Sequence, residues 1–228
     1  MKPGDVISYI EMCQKEDQNL QRGMNFRSRG NTSVILMSLR RSSPYADRIE
    51  DGGKTLIYEG HDVAASTGLA PKLTDQPMYN PTGTFTQNGK FYDAAMKHKN
   101  QNSPAEIVCV YEKLHPGIWV YNGLFRLVDA WQEISDQRKV FKFRLELTEA
   151  DIAVTSETTD MEHNRVIPSW VKLEVWKRDN GQCAICGKKE NLHFDHELPF
   201  SKGGASFTPE NVRVLCARHN LSKGAKIQ

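Results

Sequence analysis

Cysteine and histidine residues form two metal-binding pairs near the C-terminal end of the chain. Cys183 and Cys186 form a C-x2-C pair followed by Gly187, and Cys216 and His219 form a C-x2-H pair thirty residues further on. Three thiolates and one imidazole are a ligand set that Zn2+ takes in closed tetrahedral sites. The spacing therefore predicts a structural zinc site, with buried free thiols as the alternative.

Acid–base and oxygen-donor side chains lie between and after these pairs. His193, Asp195 and His196 fall within four positions, and Asn211 and Asn220 follow. Hydrolysis of a phosphodiester needs a base to deprotonate water and a cation to neutralise the charge that develops on the phosphate. A neutral imidazole suits the base, and carboxylate and amide oxygens suit Mg2+ or Mn2+. Residue types alone leave open that these are incidental polar residues of a loop.

Residues 181–224 resemble the HNH endonuclease motif in its zinc-stapled, McrA-type form. The resemblance rests on CAICG, HFDHELPFSKGG and ENVRVLCARHNLSKG, which contain D-H-x-x-P, G-G, N-x-x-x-L-C and H-N-x-x-K in that order. It implies a ββα-metal fold, in which a hairpin and a helix hold one divalent cation. The implied roles are His196 as general base, Asp195 and Asn220 as ligands of a catalytic Mg2+ or Mn2+, Asn211 as the residue that orders the loop carrying His196, and Lys223 as a contact to the scissile phosphate.

Two residues fit this resemblance less closely. Many relatives have His at the position of Asn220, and an amide is a harder, weaker ligand that favours Mg2+ or Mn2+ over softer metals. His193 has three interpretations: a spare ligand, a DNA contact or, as we favour, an ordinary strand histidine. A zinc module without catalytic activity is a further alternative for the whole segment.

A small C-terminal domain is needed to position the metal-binding residues. Ser169 is predicted to cap a helix over WVKLEVWKRDNG. Trp170, Leu173 and Trp176 share one side of that helix and are predicted to form a small core. About 60 residues rarely fold on apolar burial alone, so a structural metal would supply what the core lacks.

The first 150 residues have the pattern of a β-rich domain with a helix or two. Apolar runs of strand length occur at 34–39, 55–58 and 107–111, and apolar residues alternate with polar ones over 141–147. Asn122-Gly123 separates two further runs and is predicted to be the turn of a hairpin. Residues 91–99 are predicted to be helical. The fold class expected for the whole chain is α+β.

Three stretches of this region together resemble the SRA (YDG) domain. They are SPYADRIEDGGKTLIYEGHD (43–62), LTDQPMYNPTG (73–83) and GIWVYNGLFRLVDAW (117–131), and the resemblance covers residues 18–148. It implies a curved β-sheet or barrel with flanking helices that flips a modified cytosine out of duplex DNA into a pocket. In this sequence Asn122 replaces the Asp of the Y-D-G hairpin.

The same resemblance implies a pocket for the flipped base. Tyr45 and Tyr58 would sandwich the base, and Asp47 would accept a hydrogen bond from the exocyclic amine of cytosine. Glu59 stands where many relatives have a small hydroxyl residue. Flipping costs a few kcal/mol, stacking returns roughly 1–3 kcal/mol per ring, and one buried methyl group adds only about 0.8 kcal/mol. Shape must therefore add to the discrimination; ordinary β-sheet tyrosines are the alternative.

The distribution of charge says more about partners than its sum. The chain carries 30 Lys and Arg against 28 Asp and Glu, a net charge of +2. Residues 169–228 carry ten basic and six acidic residues, or +4. The stretch between Asp17 and Asp47 contains no acid. Phosphate contacts are predicted there at Arg27, Arg29, Arg40 and Arg41, with a solvated face as the alternative.

Cysteine use and hydropathy indicate a cytoplasmic protein. No stretch reaches the roughly 18–20 apolar residues of a membrane span, and the N-terminus lacks the apolar core of a signal peptide. Clustered thiols in a reducing compartment more often hold metal than form disulfides. We therefore expect cytoplasmic localisation and no membrane partner.

These predictions converge on a modification-dependent restriction endonuclease, type IV or IIM-like. We expect an SRA-like domain over 1–150 that flips 5-methylcytosine or 5-hydroxymethylcytosine in duplex DNA, a linker over 151–168 and an HNH nuclease domain over 169–228. One HNH site cuts one strand, so a double-strand break needs either a homodimer, which we expect, or two visits by one chain. The alternatives are an HNH nuclease with another DNA target, such as phosphorothioate DNA, and a non-catalytic adaptor that binds methylated DNA.

Overall fold

The computed structural model describes residues 1–27, 32–40, 43–64, 67–148, 167–198 and 208–223. They form an α+β fold, as the sequence predicts, with one large sheet and one small hairpin sheet. The strands are β1 (Val6–Ser8), β2 (Met24–Asn25), β3 (Ser33–Met37), β4 (Arg48–Glu50), β5 (Thr55–Glu59), β6 (Glu106–His115), β7 (Ile118–Ser135), β8 (Arg138–Leu147), β9 (Leu192–His196) and β10 (Val212–Cys216). The helices are α1 (Tyr9–Lys15), α2 (Gln87–Gln101), α3 (Ser169–Arg178) and α4 (Ala217–Lys223), with short 3-10 turns at Asp51–Gly53, Pro71–Leu73 and Pro209–Asn211.

The large sheet has the strand order β2-β3-β6-β7-β8-β5-β4, and β1 pairs with β7 outside that path. The pairing of β3 with β6 is parallel, whereas β6, β7 and β8 form antiparallel hairpins. The strands predicted near 34–39, 55–58, 107–111 and 141–147 are β3, β5, β6 and β8, and the predicted helix at 91–99 lies within α2.

Strand β7 runs unbroken through Asn122 and Gly123, so the predicted hairpin turn at this pair is wrong. The register against β6 shifts here: Tyr121 faces Tyr111 and Gly123 faces Val110, which leaves Asn122 as the extra residue of a β-bulge. Gly123 has a φ of 109°, which suits a glycine in a bulge. An Asn-Gly pair favours a bulge as well as a turn, and local sequence does not distinguish the two.

Buried side chains form three clusters around the large sheet. The first lies between the sheet and α2, where Phe91 packs against Phe143, and the second lies beneath α1 around Met12. The third joins strands β6 and β7 to α3 and the β9–β10 hairpin. None of the helices within the described residues has the length and apolar character needed to cross a bilayer.

Helix α3 differs in detail from its prediction. Pro168 occupies the N-cap position, and Ser169 is the first helical residue rather than the cap. Trp170 is 54% exposed, while Val171, Lys172 and Val175 face the interior. The buried side of α3 therefore differs from the predicted one. The reason is that the helix packs against strand β6 of the large sheet as well as against β10.

Candidate functional site

The two predicted metal-binding pairs meet in space. The ligand atoms of Cys183, Cys186, Cys216 and His219 all lie within 4.8 Å of one another. The Sγ atoms of Cys183 and Cys216 each lie 3.4 Å from His219 Nδ1, and Cys186 Sγ lies 3.8 Å from Cys216 Sγ. With zinc–sulfur bonds of about 2.3 Å and zinc–nitrogen bonds of about 2.0 Å, a tetrahedral ion separates two sulfurs by about 3.8 Å and a sulfur from a nitrogen by about 3.5 Å. The donor set and its spacing fit one tetrahedral Zn2+.

Local backbone structure prepares the first pair for a metal. The chain turns after Cys183, whose carbonyl accepts a 2.8 Å hydrogen bond from the N–H of Gly187, and Gly187 adopts a φ of 70°. Burial opposes ionisation of the Cys183 thiol, but hydrogen bonds from the backbone of Cys216 and Cys186 outweigh burial and lower the pKa to about 6. A thiolate is the form that binds zinc, so this environment favours the binding of a zinc ion.

The β9–β10 hairpin presents the candidate catalytic residues. Asp195 and His196 end β9, and they face Arg213 and Val212 at the start of β10. Strand β10 then ends at Cys216, a member of the Cys3His cluster. The same two strands therefore connect the candidate catalytic residues directly to the Cys3His cluster.

Asn211 holds the backbone that follows His196. Its Oδ1 accepts a 2.7 Å hydrogen bond from the N–H of Leu198, and its Nδ2 donates to the Leu198 carbonyl at 3.0 Å. Its own carbonyl accepts a 2.7 Å hydrogen bond from the N–H of Glu197. This is the geometry that an ordering residue for the His196 loop requires. Residues 199–207, which carry the Pro and Gly-Gly of the motif, lie outside the described residues.

The remaining candidate residues lie on α4, which packs against both β9 and β10. Asn220 is half-buried within this helix, and Lys223 is its last residue. His193 points elsewhere, since its Nδ1 lies 2.6 Å from Asp5 Oδ1. The structure therefore groups His193 with the N-terminal segment and not with the ligands of the zinc centre.

The two tyrosines predicted to hold a base converge on a histidine that sequence reasoning missed. The His61 ring stacks on Tyr45 with centroids 6.0 Å apart and planes at 27°, and lies 6.5 Å from the ring of Tyr58. The Tyr58 hydroxyl and His61 Nε2 are 3.3 Å apart. A Cβ on Gly23 would approach both atoms within 3 Å, so only glycine fits there. The signal in the sequence was Y-E-G-H-D, where the histidine follows the second tyrosine by three positions.

Burial sets the protonation of this pocket. It lowers the pKa of His61 to about 4 and raises the pKa of Tyr58 well above 10, so both rings are uncharged at neutral pH. Burial also raises the pKa of Asp47 to about 7, against the pull of its hydrogen bonds from the backbone N–H of Glu59 at 2.9 Å and of Ser38 at 3.3 Å. Asp47 therefore changes charge in the neutral range, whereas the rings of His61 and Tyr58 do not.

Glu59 belongs to a buried ion-pair network beneath the pocket. Its Oε2 accepts hydrogen bonds from Lys142 Nζ at 2.9 Å and from the Ala46 N–H at 3.1 Å, and its Oε1 lies 3.3 Å from Arg138. Arg138 also pairs with Asp62. Glu59, Arg138 and Lys142 are each less than a tenth exposed. Both oxygens of Glu59 are thus engaged in holding the segment between the two tyrosines.

Lys72 contacts Tyr45 and Asp62 at the edge of the pocket. Its Nζ lies 4.5 Å from the centre of the Tyr45 ring and 2.9 Å from Asp62 Oδ2. A cation over an aromatic face is attracted to the ring, so Lys72 helps to fix Tyr45. Neither Lys72 nor the basic pair beneath Glu59 was singled out from the sequence, because each stands far along the chain from the residues it contacts.

The predicted phosphate contacts are only partly described. Arg27 forms an ion pair with the buried Glu106, to which its Nε donates at 2.7 Å, and its side chain remains 54% exposed. Arg40 Nε donates to Ser38 Oγ at 3.3 Å. Arg29 and Arg41 lie outside the described residues.

Comparison with family models identifies one segment of the chain. Residues 183–226 match the family model "HNH endonuclease", which confirms the predicted resemblance of this segment to HNH endonucleases. No curated protein matches the chain in sequence.

Solved structures similar to the chain include SRA domains. The SUVH5 SRA domain in complex with hemi-methylated CG DNA is 23% identical, with a TM-score of 0.46 over 65% of this chain and 89% of that chain. The same domain bound to fully hydroxymethylated CG DNA is 22% identical over the same shares, again with a TM-score of 0.46. SUVH6 of Arabidopsis thaliana, in complex with SAM, is 22% identical with a TM-score of 0.42, over 65% of this chain and 26% of that chain.

Proposed function

We propose that this protein is a modification-dependent DNA endonuclease. The observation that carries the proposal is the C-terminal HNH domain, in which one hairpin joins Asp195 and His196 to a Cys3His centre with zinc spacing. Structural zinc sites of this kind stabilise small domains, and they leave the chemistry to other residues.

In the proposed reaction, His196 takes a proton from the water that attacks the phosphorus. The new phosphorus–oxygen bond replaces the bond to the leaving nucleotide, whose oxygen takes up a proton from solvent. A neutral imidazole at neutral pH can accept this proton, and general base catalysis of this kind contributes roughly 10^2–10^4-fold. Asn211 keeps the backbone after His196 in place through its two hydrogen bonds to Leu198. Lys223 would meet the scissile phosphate from the end of α4.

Asp195 and Asn220 are the residues proposed to hold a catalytic Mg2+ or Mn2+. They offer one carboxylate and one amide oxygen, the ligand types that hard cations prefer, and they stand on β9 and α4, which pack together. When bound there, the cation would neutralise charge that develops on the phosphate and the leaving oxygen.

The N-terminal region is proposed to read a modified cytosine. Support comes from the SRA-like stretches of its sequence and from Tyr45 and Tyr58, which the fold brings to one place. The stacking of a flipped base on such rings offsets the cost of flipping. Asp47 stands beside this pair and accepts hydrogen bonds from the backbone N–H groups of Glu59 and Ser38. As a carboxylate it would also accept a hydrogen bond from the exocyclic amine of cytosine.

Several further parts of the proposal remain predictions. We propose that residues 1–150 bind the modified base, that residues 151–168 form a linker and that residues 169–228 form the nuclease. Most of the linker lies outside the described residues. Pairing of two chains would supply the two cuts of a double-strand break, and light scattering in the presence of DNA would distinguish a dimer from a single chain that visits twice. Cytoplasmic localisation also stays a prediction.

Replacing His196 tests the nuclease assignment. We expect His196→Ala to lose at least about 100-fold in the rate of DNA cleavage with Mg2+ or Mn2+, with unchanged DNA binding. The matched control is His115→Ala, which removes an exposed histidine at the end of β6. Cleavage at the wild-type rate by the His196 variant would show that another group is the base.

Isogenic plasmids test the target. Cleavage of methylated or hydroxymethylated plasmid, with plain plasmid left intact, is the expected result. Equal cleavage of all three, or cleavage of phosphorothioate plasmid alone, would favour an HNH nuclease with another target. Binding of modified DNA without any metal-dependent nicking would instead favour the adaptor.

A further inference from the structure

A fully buried lysine joins the HNH region to the large sheet. Lys172 lies on α3 and is 1% exposed. Its Nζ donates to Glu112 Oε2 at 2.7 Å and to Asn122 Oδ1 at 2.8 Å, and Asn122 Nδ2 donates to the same Glu112 oxygen at 3.1 Å. Glu112 and Asn122 lie on β6 and β7 and are at most 2% exposed. Three polar side chains thus satisfy one another across the boundary between the two regions.

The β-bulge in β7 accounts for the position of Asn122. As the extra residue of the bulge, Asn122 is offset from the regular alternation of the strand. Its amide can donate to Glu112 and accept from Lys172 at once. The Asn-Gly pair of the SRA-like motif is therefore part of a contact to the HNH region.

The N-terminal segment, residues 4–8, forms a second connection. The Gly4 N–H donates to the Tyr121 carbonyl at 2.8 Å, and the Tyr121 N–H donates to the Asp5 carbonyl at 2.9 Å. On its other side, the Gly4 carbonyl accepts from the Phe194 N–H at 3.1 Å. Asp5 pairs with His193, two positions before Asp195. The segment therefore lies between β7 and β9, the strand that ends in the candidate catalytic residues.

A common apolar core surrounds these contacts. Leu114 and Val120 of the large sheet belong to the same buried cluster as Val171 and Val175 of α3 and Phe194 of β9. A shared core of this kind opposes movement of the HNH region against the large sheet. Any such shift would expose apolar surface and would leave Lys172 and Glu112 buried without each other as partners.

We propose that Lys172 is a positioning residue that fixes the HNH hairpin against the sheet. The distance from the modified base to the cleaved bond would then be set by this interface and not by the length of the segment 149–166. This inference rests on the proposed function. An ordinary tethered nuclease would instead cut over a range that widens with the length of its tether.

Mapping of cut positions tests the inference with the full-length protein. The substrate is a linear duplex with a single modified cytosine, and the variants are Lys172→Met and the matched control Lys177→Met, which removes an exposed lysine of the same helix. We expect wild type and Lys177→Met to cut at one narrow set of positions. Lys172→Met should scatter the cuts and lower the fraction at the main position several-fold. Insertion of six Gly and Ser residues after Thr155 should leave the positions unchanged.

Exchange of the two charges of the Lys172–Glu112 pair distinguishes loss of positioning from a failure to fold. Lys172→Glu combined with Glu112→Lys restores the ion pair, and the Asn122 amide can reverse to serve both groups. We expect this double variant to regain the narrow cut pattern, which a general loss of stability would not give. Unchanged cut positions in Lys172→Met, or positions that move with the inserted residues, would overturn the proposal.

Hydrogen exchange separates this inference from the proposed function. In Lys172→Met, the amides of α3 and of residues 4–8 should exchange several-fold faster than in Lys177→Met, whether or not the protein cuts DNA. Equal exchange in the two variants would overturn the positioning role even in an active enzyme. Absence of cleavage in wild type would overturn the proposed function and leave the exchange result to stand alone.

Discussion

The zinc centre and the aromatic pocket are built in opposite ways. The outermost residues of the Cys3His cluster, Cys183 and His219, are 36 residues apart, and the C-x2-C and C-x2-H pairs supply all four side chains. The pocket depends on contacts between distant strands, since Glu59 pairs with Lys142 across 83 residues. With zinc bound, the first site would gain its stability from a few strong bonds to the ion, whereas the second gains it from many moderate contacts that the whole sheet must hold in place.

Loss of a zinc ligand should give the largest effect. Metal binding at such sites is worth roughly 10–16 kcal/mol, more than a small core supplies. We expect Cys216→Ser to reduce bound zinc from about one per chain to near zero, to abolish cleavage and to unprotect β9, β10 and α4 in hydrogen exchange, with α2 and β8 still protected. Cys13→Ser, outside the metal centre, is the control. A Cys216→Ser protein that retains its zinc would contradict the ligand set.

Disruption of the ion-pair network beneath the pocket should come next. Lys142→Met leaves Glu59 buried with Arg138 as its remaining cationic partner, which we expect to cost about 3 kcal/mol in the free energy of unfolding. The measurement is the denaturant midpoint of the large sheet. Arg144→Met, in the same strand, removes a partly exposed pair with Glu146 and should cost less than about 1 kcal/mol. Similar losses in the two variants would show that burial of the network contributes little.

Removal of a stacking ring should affect binding more than stability. Tyr45→Ala should weaken binding to a duplex with one modified cytosine by about 1–3 kcal/mol, or roughly 5- to 150-fold in Kd. Tyr79→Ala, an exposed ring stacked on Phe85 away from His61, should leave Kd unchanged. If Tyr45→Ala binds as tightly as wild type, Tyr45 is an ordinary surface aromatic.

A change of pH should give the smallest effect. Asp47 has a pKa of about 7, so its carboxylate fraction, and with it affinity for cytosine, should rise about tenfold between pH 6 and pH 8. His61, with a pKa of about 4, does not titrate in that window. Asp47→Asn should remove the dependence, and a dependence that survives in this variant would assign it to another group.

The same raised pKa has a consequence of opposite sign for stability. The folded state favours protonated Asp47, since its pKa lies above the ordinary 3.8. The stabilising contribution is therefore complete below pH 3.8 and is lost as the pH rises through 7. Tighter binding and lower stability should accompany each other between pH 6 and pH 8.

Helix α3 and strand β7 show where sequence reasoning reached its limit. The apolar pattern placed the helix correctly but assigned Trp170 to its buried side and did not predict burial of Lys172. The Asn122-Gly123 pair gave a turn signal that the structure uses as a bulge. In both cases the deciding contact comes from the other region of the chain, and local pattern contains no information about it.

The sequence by itself determined the grouping of Cys183, Cys186, Cys216 and His219, the resemblance to HNH endonucleases and the α+β class, because these follow from residue type and short spacing. The tertiary structure alone decided that His61 contacts the two tyrosines. It also decided that Glu59 forms ion pairs with Arg138 and Lys142, and that Lys172 pairs with Glu112 of the large sheet. The physical reason is that desolvation and pairing of buried groups depend on which strands become neighbours, and that choice is made by the fold as a whole.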